Sequence, residues 1–337
     1  MGPIYRIDQA RGSPEEVGEQ LGHKLGKKLE QNIDHYLGSL DQLLGLDRHR
    51  LQQEALPWLE SLPRDYQVEL KALARGAGCS VEKVAAWLYS DSCAGGGCTA
   101  FIQETENGVI VGRNNDYLIP GIWNYGTLLA VKNKSPLLLL GLEGGTFSGT
   151  GFNQARLWLH YNWLPAQPCS GLPPFIFHRL ALEQCSSLAQ VEDLLEQFPR
   201  DGGMNLFAVD GKTGEYAVLE CAPHRHRRRP REKGGRIVAA NHYHFSQLAP
   251  GGKEGNPDSV SRENRARVLL TGLKEPQMPR DFFSVLADPG VEVRQPGQGT
   301  VYSCVVNPAR EQIYYAADPY PAASRGRREL LQLSWEN

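Results

Sequence analysis

The spacing of apolar side chains changes near residue 95. Upstream the period is helical. Ser13 is placed to cap a helix, with Pro14 at its first position and Glu16 closing a capping box. Val17, Leu21, Leu25, Leu29, Ile33, Leu37 and Leu40 then recur on one face. Gly18, Gly22 and Gly26, spaced by four, predict close approach of another element to that face. Further helices are expected over about 48–60, from the Ser61-Leu62-Pro63 signal, and from Ser80 with Val81, Val84, Ala85 and Leu88 inward.

From Cys98 on, the pattern is mainly strand. Cys98–Gln103 and Val109–Asn114 flank Asn107-Gly108, a two-residue hairpin signal. Further strands are predicted over Leu128–Lys132, Leu137–Leu142, Ala155–Tyr161, Asn205–Val209, Ala217–Cys221, Arg236–Ala240, Thr300–Val306 and Gln312–Ala316. Helices are predicted over Phe175–Glu183, Leu188–Gln197 and Ser259–Thr271. Antiparallel hairpins and helices in separate blocks predict a layered α+β fold, with sheets sandwiched between helices. The basic stretch 224–235, HRHRRRPREKGG, reads as a polar loop between two strands.

Composition narrows the function classes. The chain has 337 residues, 41% of them hydrophobic, enough for a large core, and a net charge of −2 gives no global field toward nucleic acid or an anionic membrane. The N-terminus carries no apolar signal-peptide core. The longest apolar run, around Pro136–Leu142, is far too short to span a bilayer. Seven cysteines at irregular spacing argue against a disulfide framework and for a reducing, cytoplasmic setting.

The candidate chemistry sits where the pattern switches. Gly95-Gly96-Gly97-Cys98-Thr99 sets a thiol directly after three glycines. Such a backbone bends easily, and Gly97 has no side chain to block attack by the Cys98 sulfur on the preceding carbonyl. Hydrolysis of the resulting thioester leaves Cys98 as a new N-terminus. A free α-amine has a pKa of roughly 7.7–8.0, against roughly 10.4 for lysine, so it can take the thiol proton near neutral pH. With Asn107-Gly108 as the turn, Cys98 is expected opposite Tyr117 and Arg113 opposite Ile102. Strict alternation sets Arg113 and Asn115 on the Cys98 face and Asp116 on the other, so Asp116 reaches the amine only where the strand bulges or ends.

Gly97-Cys98-Thr99, the hairpin, and Gly112-Arg113-Asn114-Asn115-Asp116-Tyr117 resemble the N-terminal-nucleophile (Ntn) hydrolases. The branch is that of acyl-coenzyme A:6-aminopenicillanic acid acyltransferase, choloylglycine hydrolase and penicillin V acylase. The resemblance implies a four-layer αββα sandwich with a helical N-terminal pro-segment, residues 1–97, that stays bound as a small subunit after self-cleavage at Gly97-Cys98. Residues 98–337 would form the catalytic subunit. It implies Cys98 as nucleophile, Arg113 beside the thiol, Asp116 holding the new amine, Asn162 and Asn241 supporting the oxyanion, and Arg262 anchoring the network. The substrate would be a small acyl amide or thioester, with no metal or organic cofactor, no nucleic acid and no membrane. A plain amide hydrolase and a chain of this fold that never matures are the alternatives.

Rival constellations are weaker. Cys79, Cys93 and Cys98 match no zinc spacing. His242 lies 144 residues after Cys98 but without the local papain signature. Gly144–Gly151 lack the P-loop lysine and read as tight turns. The arginines of 225–231 face RNA or coenzyme phosphates only if they are more than a solvated loop. Trp123, Tyr125, Tyr161, Trp163 and Phe245 are candidates for an acyl pocket wall.

Overall fold

A computed structural model describes residues 6–94, 97–117, 125–141, 146–167, 169–252, 256–295 and 298–331, with 333 and 335. Strand β1 (Arg6–Gly12) precedes helices α1 (Pro14–Leu25), α2 (Lys27–Leu44), α3 (Arg48–Ser61), α4 (Arg64–Ala77) and α5 (Val81–Ala94). The capping box forms as read: Ser13 accepts from the Glu16 N–H while Glu16 takes the Ser13 N–H. Gly18 and Gly22 are the close-approach positions, since a Cβ on them would meet the Glu69 and Leu73 carbonyl oxygens of α4 at 2.1 and 2.4 Å. Gly26 has another use. At φ 53° it breaks the expected long helix into α1 and α2. The Ser61 signal also differs, because Ser61 ends α3 and bonds back to Trp58, and α4 begins after Pro63 without a side-chain cap.

The next hairpin is β2 (Gly97–Thr105) and β3 (Gly108–Tyr117), followed by β4 (Tyr125–Val131), β5 (Leu137–Leu140), β6 (Thr150–Asn153) and β7 (Leu157–Leu164). Helices α6 (Pro174–Gln184) and α7 (Leu188–Gln197) lead to β8 (Gly203–Asp210), β9 (Tyr216–Ala222), β10 (Arg225–Arg228) and β11 (Arg236–Ala239). The chain then forms α8 (Pro257–Gly272), α9 (Arg280–Leu286), β12 (Arg294–Gln295), β13 (Gln298–Asn307), β14 (Gln312–Ala316), α10 (Ala322–Arg325) and β15 (Arg328–Leu331).

Two sheets result. One runs β1-β4-β5-β6-β7-β8-β9-β10, and the other β11-β2-β3-β13-β14-β15 with β12 on β13. They face each other through β2 against β7 and β11 against β9. Helices α6 and α7 cover the first sheet, and α8, α9 and α10 the second. That is the four-layer αββα sandwich. Burial on both faces explains why β8 and β9 are buried at every position and read as apolar runs interrupted inside only by Asn205 and Glu220. A second core, with Phe101, Ile110, Leu270, Phe282 and Val305, fills the layer under α8 and α9.

Five strands were not legible as such: β1, β6, β10, β12 and β15. β1 adds in parallel to β4, so the N-terminal segment supplies an edge of the first sheet. β6 begins at Thr150 and Gly151, the end of the glycine-rich stretch read as turns. Arg225–Arg228, read as loop, is the opposite edge, antiparallel to β9; its paired hydrogen bonds override its polar composition. The helical segment is also joined by charge. Glu69 of α4 receives both guanidinium nitrogens of Arg179 of α6 at 2.6 Å, with both side chains buried.

Candidate active site

The hairpin turn is Glu106-Asn107, one residue earlier than expected, with Thr105 facing Gly108. The Thr105 hydroxyl donates to the Gly108 carbonyl and accepts the Asn107 N–H, while Asn307 donates to the Asn107 carbonyl. Gly108, at φ 102°, closes the turn from outside it. Every pairing therefore slips by two. Cys98 lies opposite Asn115 and not Tyr117, and Arg113 opposite Ala100 and not Ile102. A slip of two preserves the faces. Cys98, Arg113 and Asn115 still share one face, and Asp116 points away from it, opposite Gly97.

The Cys98 sulfur is buried against a cation. Arg113 Nη2 approaches it at 3.3 Å and donates to Asn115 Oδ1 at 2.8 Å, and the thiol lies 3.6 Å from the same oxygen. Arg113 Nη1 is anchored on the Tyr161 carbonyl and on Asn162 Oδ1, at 2.7 and 3.0 Å. Burial pushes the Cys98 thiol above its ordinary pKa, and Arg113 only partly offsets this. The thiol is thus neutral near pH 7, beside a cation ready for the thiolate.

Asp116 is fully buried on the Gly97 side. Oδ1 accepts from the Thr300 hydroxyl at 2.6 Å. Oδ2 faces Arg262 Nη1 at 3.7 Å and has no hydrogen-bond partner among the described residues. A Cβ on Gly97 would lie 3.7 Å from that oxygen. Burial raises the Asp116 pKa, against the pull of Arg262 and Thr300. The neighbouring β13 bulges between Thr300 and Tyr302, which sets Thr300 against Asp116.

The Cys98 N–H donates to Asn241 Oδ1 at 2.7 Å. Arg262, from α8, holds the other side of that residue, with Nη1 on the Cys98 carbonyl at 2.9 Å and Nη2 on Asn241 Oδ1 at 3.2 Å. Ser259, one helical turn earlier, accepts the Asn241 N–H at 2.7 Å and meets His242 Nδ1 at 2.8 Å. His242 Nε2 faces Glu263 at 3.4 Å, so its contacts are with α8 and not with the thiol.

Asn162, Asn205, Glu220 and Arg227 are successive cross-strand partners on β7, β8, β9 and β10 and form one polar row. The row grips the chain around Asn241. Asn162 Nδ2 donates to the Ala239 carbonyl and Asn205 Nδ2 to that of Ala240. Glu220 accepts the His244 and Phe245 N–H groups, and Arg227 stacks over the Phe245 ring at 5.5 Å. The structure thus brings Cys98, Arg113, Asp116, Asn162, Asn241 and Arg262 together. Sequence reasoning set Asn115 on the Cys98 face without giving it a role, and it missed Thr300, Asn205 and Glu220. A polar residue inside a strand otherwise buried throughout was the available signal for Asn205 and Glu220.

A cavity of about 460 Å³ opens at the Gly97 end of this cluster. Trp163, Pro165, Ala249, Pro250 and Val293 give it an apolar wall, and Asp116, Asn241, His242 and Arg262 a polar one. Of the aromatic candidates, Trp163 lines it, Tyr161 packs against His178, and Phe245 sits beneath Arg227. Trp123 and the side chain of Tyr125 lie outside the described residues, as do Gly95 and Gly96.

The family model of acyl-coenzyme A:6-aminopenicillanic acid acyl-transferase matches residues 103–318. The chain belongs to that family. The 40 kDa form of acyl-coenzyme A:6-aminopenicillanic-acid-acyltransferase from Emericella nidulans is 29% identical over 279 residues, covering 78% of this chain and 76% of that protein. Solved structures that align include penicillin V acylase from Agrobacterium tumefaciens, 18% identical over 66% of this chain and 84% of its own, with a TM-score of 0.46. The Caenorhabditis elegans ortholog of N-acylethanolamine-hydrolyzing acid amidase is 16% identical over 70% and 100%, with a TM-score of 0.47. The expectation of an acyltransferase or amide hydrolase of the Ntn type is met by this membership. No helix among the described residues is long and apolar enough to cross a membrane.

Proposed function

We propose that this member of the family is made as a proenzyme, cuts itself between Gly97 and Cys98, and then uses Cys98 to form an acyl-enzyme from a small amide or acyl thioester. The observation that carries the reading is Asp116 Oδ2, a buried carboxylate oxygen beside Gly97 without a hydrogen-bond partner among the described residues. Such an oxygen is costly unless a donor arrives. Cleavage at Gly97 creates one, the Cys98 α-ammonium.

In the first step the Cys98 sulfur attacks the Gly97 carbonyl carbon. The C–N bond then breaks, the nitrogen leaves as the Cys98 amine with the thiol proton, and a thioester links Gly97 to the sulfur. Water releases Gly97 as a carboxylate and restores the thiol. Arg113 steadies the thiolate. Asn241 and Arg262 fix the N–H and carbonyl of Cys98 during the attack. In turnover the α-amine takes the thiol proton, and Asn241, which lines the cavity, donates to the oxyanion. An aimed amide donor of this kind is worth a factor of about 10²–10³ in rate. Asn162 supports it from beneath by fixing both Arg113 and Ala239.

Segment 1–97 stays attached through the pairing of β1 with β4 and the Glu69–Arg179 pair, and 98–337 carries the chemistry. The chain works in the cytoplasm, in keeping with unpaired thiols at Cys79, Cys98, Cys169, Cys185, Cys221 and Cys304. Acyl transfer is the preferred reading over plain hydrolysis on the family membership.

Intact mass under native and denaturing conditions tests this. The expected products are fragments of 97 and 240 residues, the split of the 337-residue chain after Gly97. Cys98→Ala should remain whole and inactive. A wild-type chain that stays single, or a Cys98→Ala chain that is cut normally, defeats the proposal. Supplying an acyl donor with and without an amine acceptor, and measuring new amide, separates transfer from hydrolysis.

A further inference from the structure

The polar row ends at a second cavity, of about 290 Å³, on the outer edge of the first sheet. It is lined by His224, Arg225, His226 and Arg227, by Leu195 and Glu196 from α7, and by Gln247 and Leu248. On β10 the side chains alternate. Arg225 and Arg227 share the face that looks onto Gln247 and Phe245, and both are exposed. Arg228, on the other face, is neutralised by Glu192. Among the described residues neither Arg225 nor Arg227 is paired with a carboxylate; Arg225 meets only the Gln247 carbonyl, at 3.5 Å, and Arg227 the Phe245 ring. Glu196 is the one acidic group in the wall.

The two cavities share a partition. Asn241, His242 and Tyr243, then Ala249 and Pro250, face the catalytic cavity, whereas Gln247 and Leu248 face the basic one. Along the row, Arg227 is three strands from Asn162. At a strand spacing of about 4.8 Å, that is about 14 Å. The catalytic cavity, at about 460 Å³, lies at the small end of the range for small-molecule sites. It has room for an acyl group and the reacting bond, and a nucleotide carrier must lie outside it.

We propose that the Arg225–Arg227 cavity binds the phosphates of a coenzyme A-type acyl donor, with the pantetheine arm crossing the loop that divides it from Cys98. This rests on the acyl-transfer reading above and adds the location and chemistry of the donor's carrier. Guanidinium groups suit phosphate because two parallel N–H donors match two oxygens. Free edge-strand arginines leave those donors available.

Two measurements test it. The first is direct binding of coenzyme A, ADP and inorganic pyrophosphate to the Cys98→Ala chain by calorimetry, which needs no catalysis. Coenzyme A should bind, and the double variant Arg225→Glu/Arg227→Glu should weaken it roughly tenfold or more, as two exposed ion pairs allow. The milder Arg225→Gln/Arg227→Gln should fall between. The second compares acyl-coenzyme A with the same acyl group on pantetheine. The wild type should show the lower KM for acyl-coenzyme A, and the single variant Arg225→Glu, which leaves the polar row intact, should narrow that difference with kcat and the pantetheine KM unchanged. No binding of coenzyme A, or binding indifferent to both substitutions, overturns the inference even if the enzyme transfers acyl groups. ADP binding as tightly as coenzyme A overturns the coupling to the catalytic cavity and points to a free nucleotide. Charge-dependent binding of coenzyme A without any turnover upholds the site and defeats the transferase reading instead.

Discussion

Replacing Glu69 by Gln puts the union of the two segments to the test. Arg179 gives Nη1 and Nη2 to the two Glu69 oxygens at 2.6 Å, Nε to Glu183 at 2.9 Å, and Nη1 also to the Thr146 carbonyl at 2.8 Å. Its guanidinium lies over the Tyr66 and Phe147 rings, at 4.9 and 4.8 Å, and Tyr66 in turn donates to Glu183 at 2.8 Å. Tyr66 and Glu69 belong to α4, Arg179 and Glu183 to α6. The network therefore crosses the proposed cleavage point, and the charges of Glu69, Arg179 and Glu183 are all buried. Gln keeps one acceptor but turns an N–H₂ toward a guanidinium nitrogen. One charge-assisted bond is lost and two donors are opposed. Removing a partner from a buried pair costs about 3–5 kcal/mol, and the charge retained on Glu183 brings the expectation to about 3. With an unfolding entropy of about 2.1 cal/mol/K per residue, 337 residues give about 0.7 kcal/mol/K, so the melting temperature should fall by about 4 °C. Calorimetry of the uncut Cys98→Ala chain reads that shift directly. In the cut protein the same loss should release the small fragment on dilution, visible by size-exclusion chromatography. Unchanged melting together with fragments that never separate would show that the buried pair does not hold the segments together.

Three further outcomes follow from the site. Burial raises the Asp116 pKa, so the stability tied to it is full below the unfolded carboxylate value of about 3.9 and is lost as pH rises through the folded value. At neutral pH its ionised form is a net cost before cleavage: Asp116→Asn should hold or raise the melting temperature in the Cys98→Ala background, yet lower turnover by about 10²-fold in any cut protein, and a drop in the uncut melting temperature contradicts this. The Cys98 thiol, also raised by burial, favours folding below about pH 8.5 and loses that contribution as pH rises through its raised folded value, whereas the proposed self-cleavage uses the deprotonated sulfur. The cleavage rate followed by gel densitometry should therefore climb from pH 6 to pH 9, and a flat profile excludes the neutral thiol as the resting form. Asn205→Ala leaves the Ala240 carbonyl unpaired, costing about 1–2 kcal/mol, and should slow cleavage about tenfold because Asn241 loses an anchor; cleavage at the wild-type rate removes Asn205 from the positioning set.

Local signals told most of the fold. The switch from helical to strand period near residue 95 falls at the α5–β2 boundary, and α7 and β14 have the bounds read from the apolar pattern. The failures have physical causes. β1 lies at the N-terminal end of a chain read as helical there, and it is stabilised by parallel pairing to β4, more than a hundred residues away. β10 is an arginine run that composition assigns to solvent; as an edge strand it is partly in solvent, and only its ladder to β9 makes it a strand. Gly26 and Gly22 sit in the same spacing, but whether a glycine admits a neighbour or breaks the helix depends on what packs against it.

The site shows a sharper division between what a single strand reveals and what only pairing reveals. Side-chain alternation is local, so Arg113 and Asn115 fell on the Cys98 face and Asp116 on the other even though the register was off by two. Register depends on the turn, and Thr105 and Asn307 fix it with bonds that the Asn107-Gly108 dipeptide does not announce. The Asn162–Asn205–Glu220–Arg227 row is less visible still, because it exists only after four strands have been paired in order. In sequence its members are isolated polar residues. In space they grip Ala239, Ala240, His244 and Phe245 in turn, and that grip is what carries Asn241 across to the Cys98 N–H. The proposed nucleophile is thus readable from one dipeptide, whereas the arm set to aim the chemistry at it is a property of the sheet.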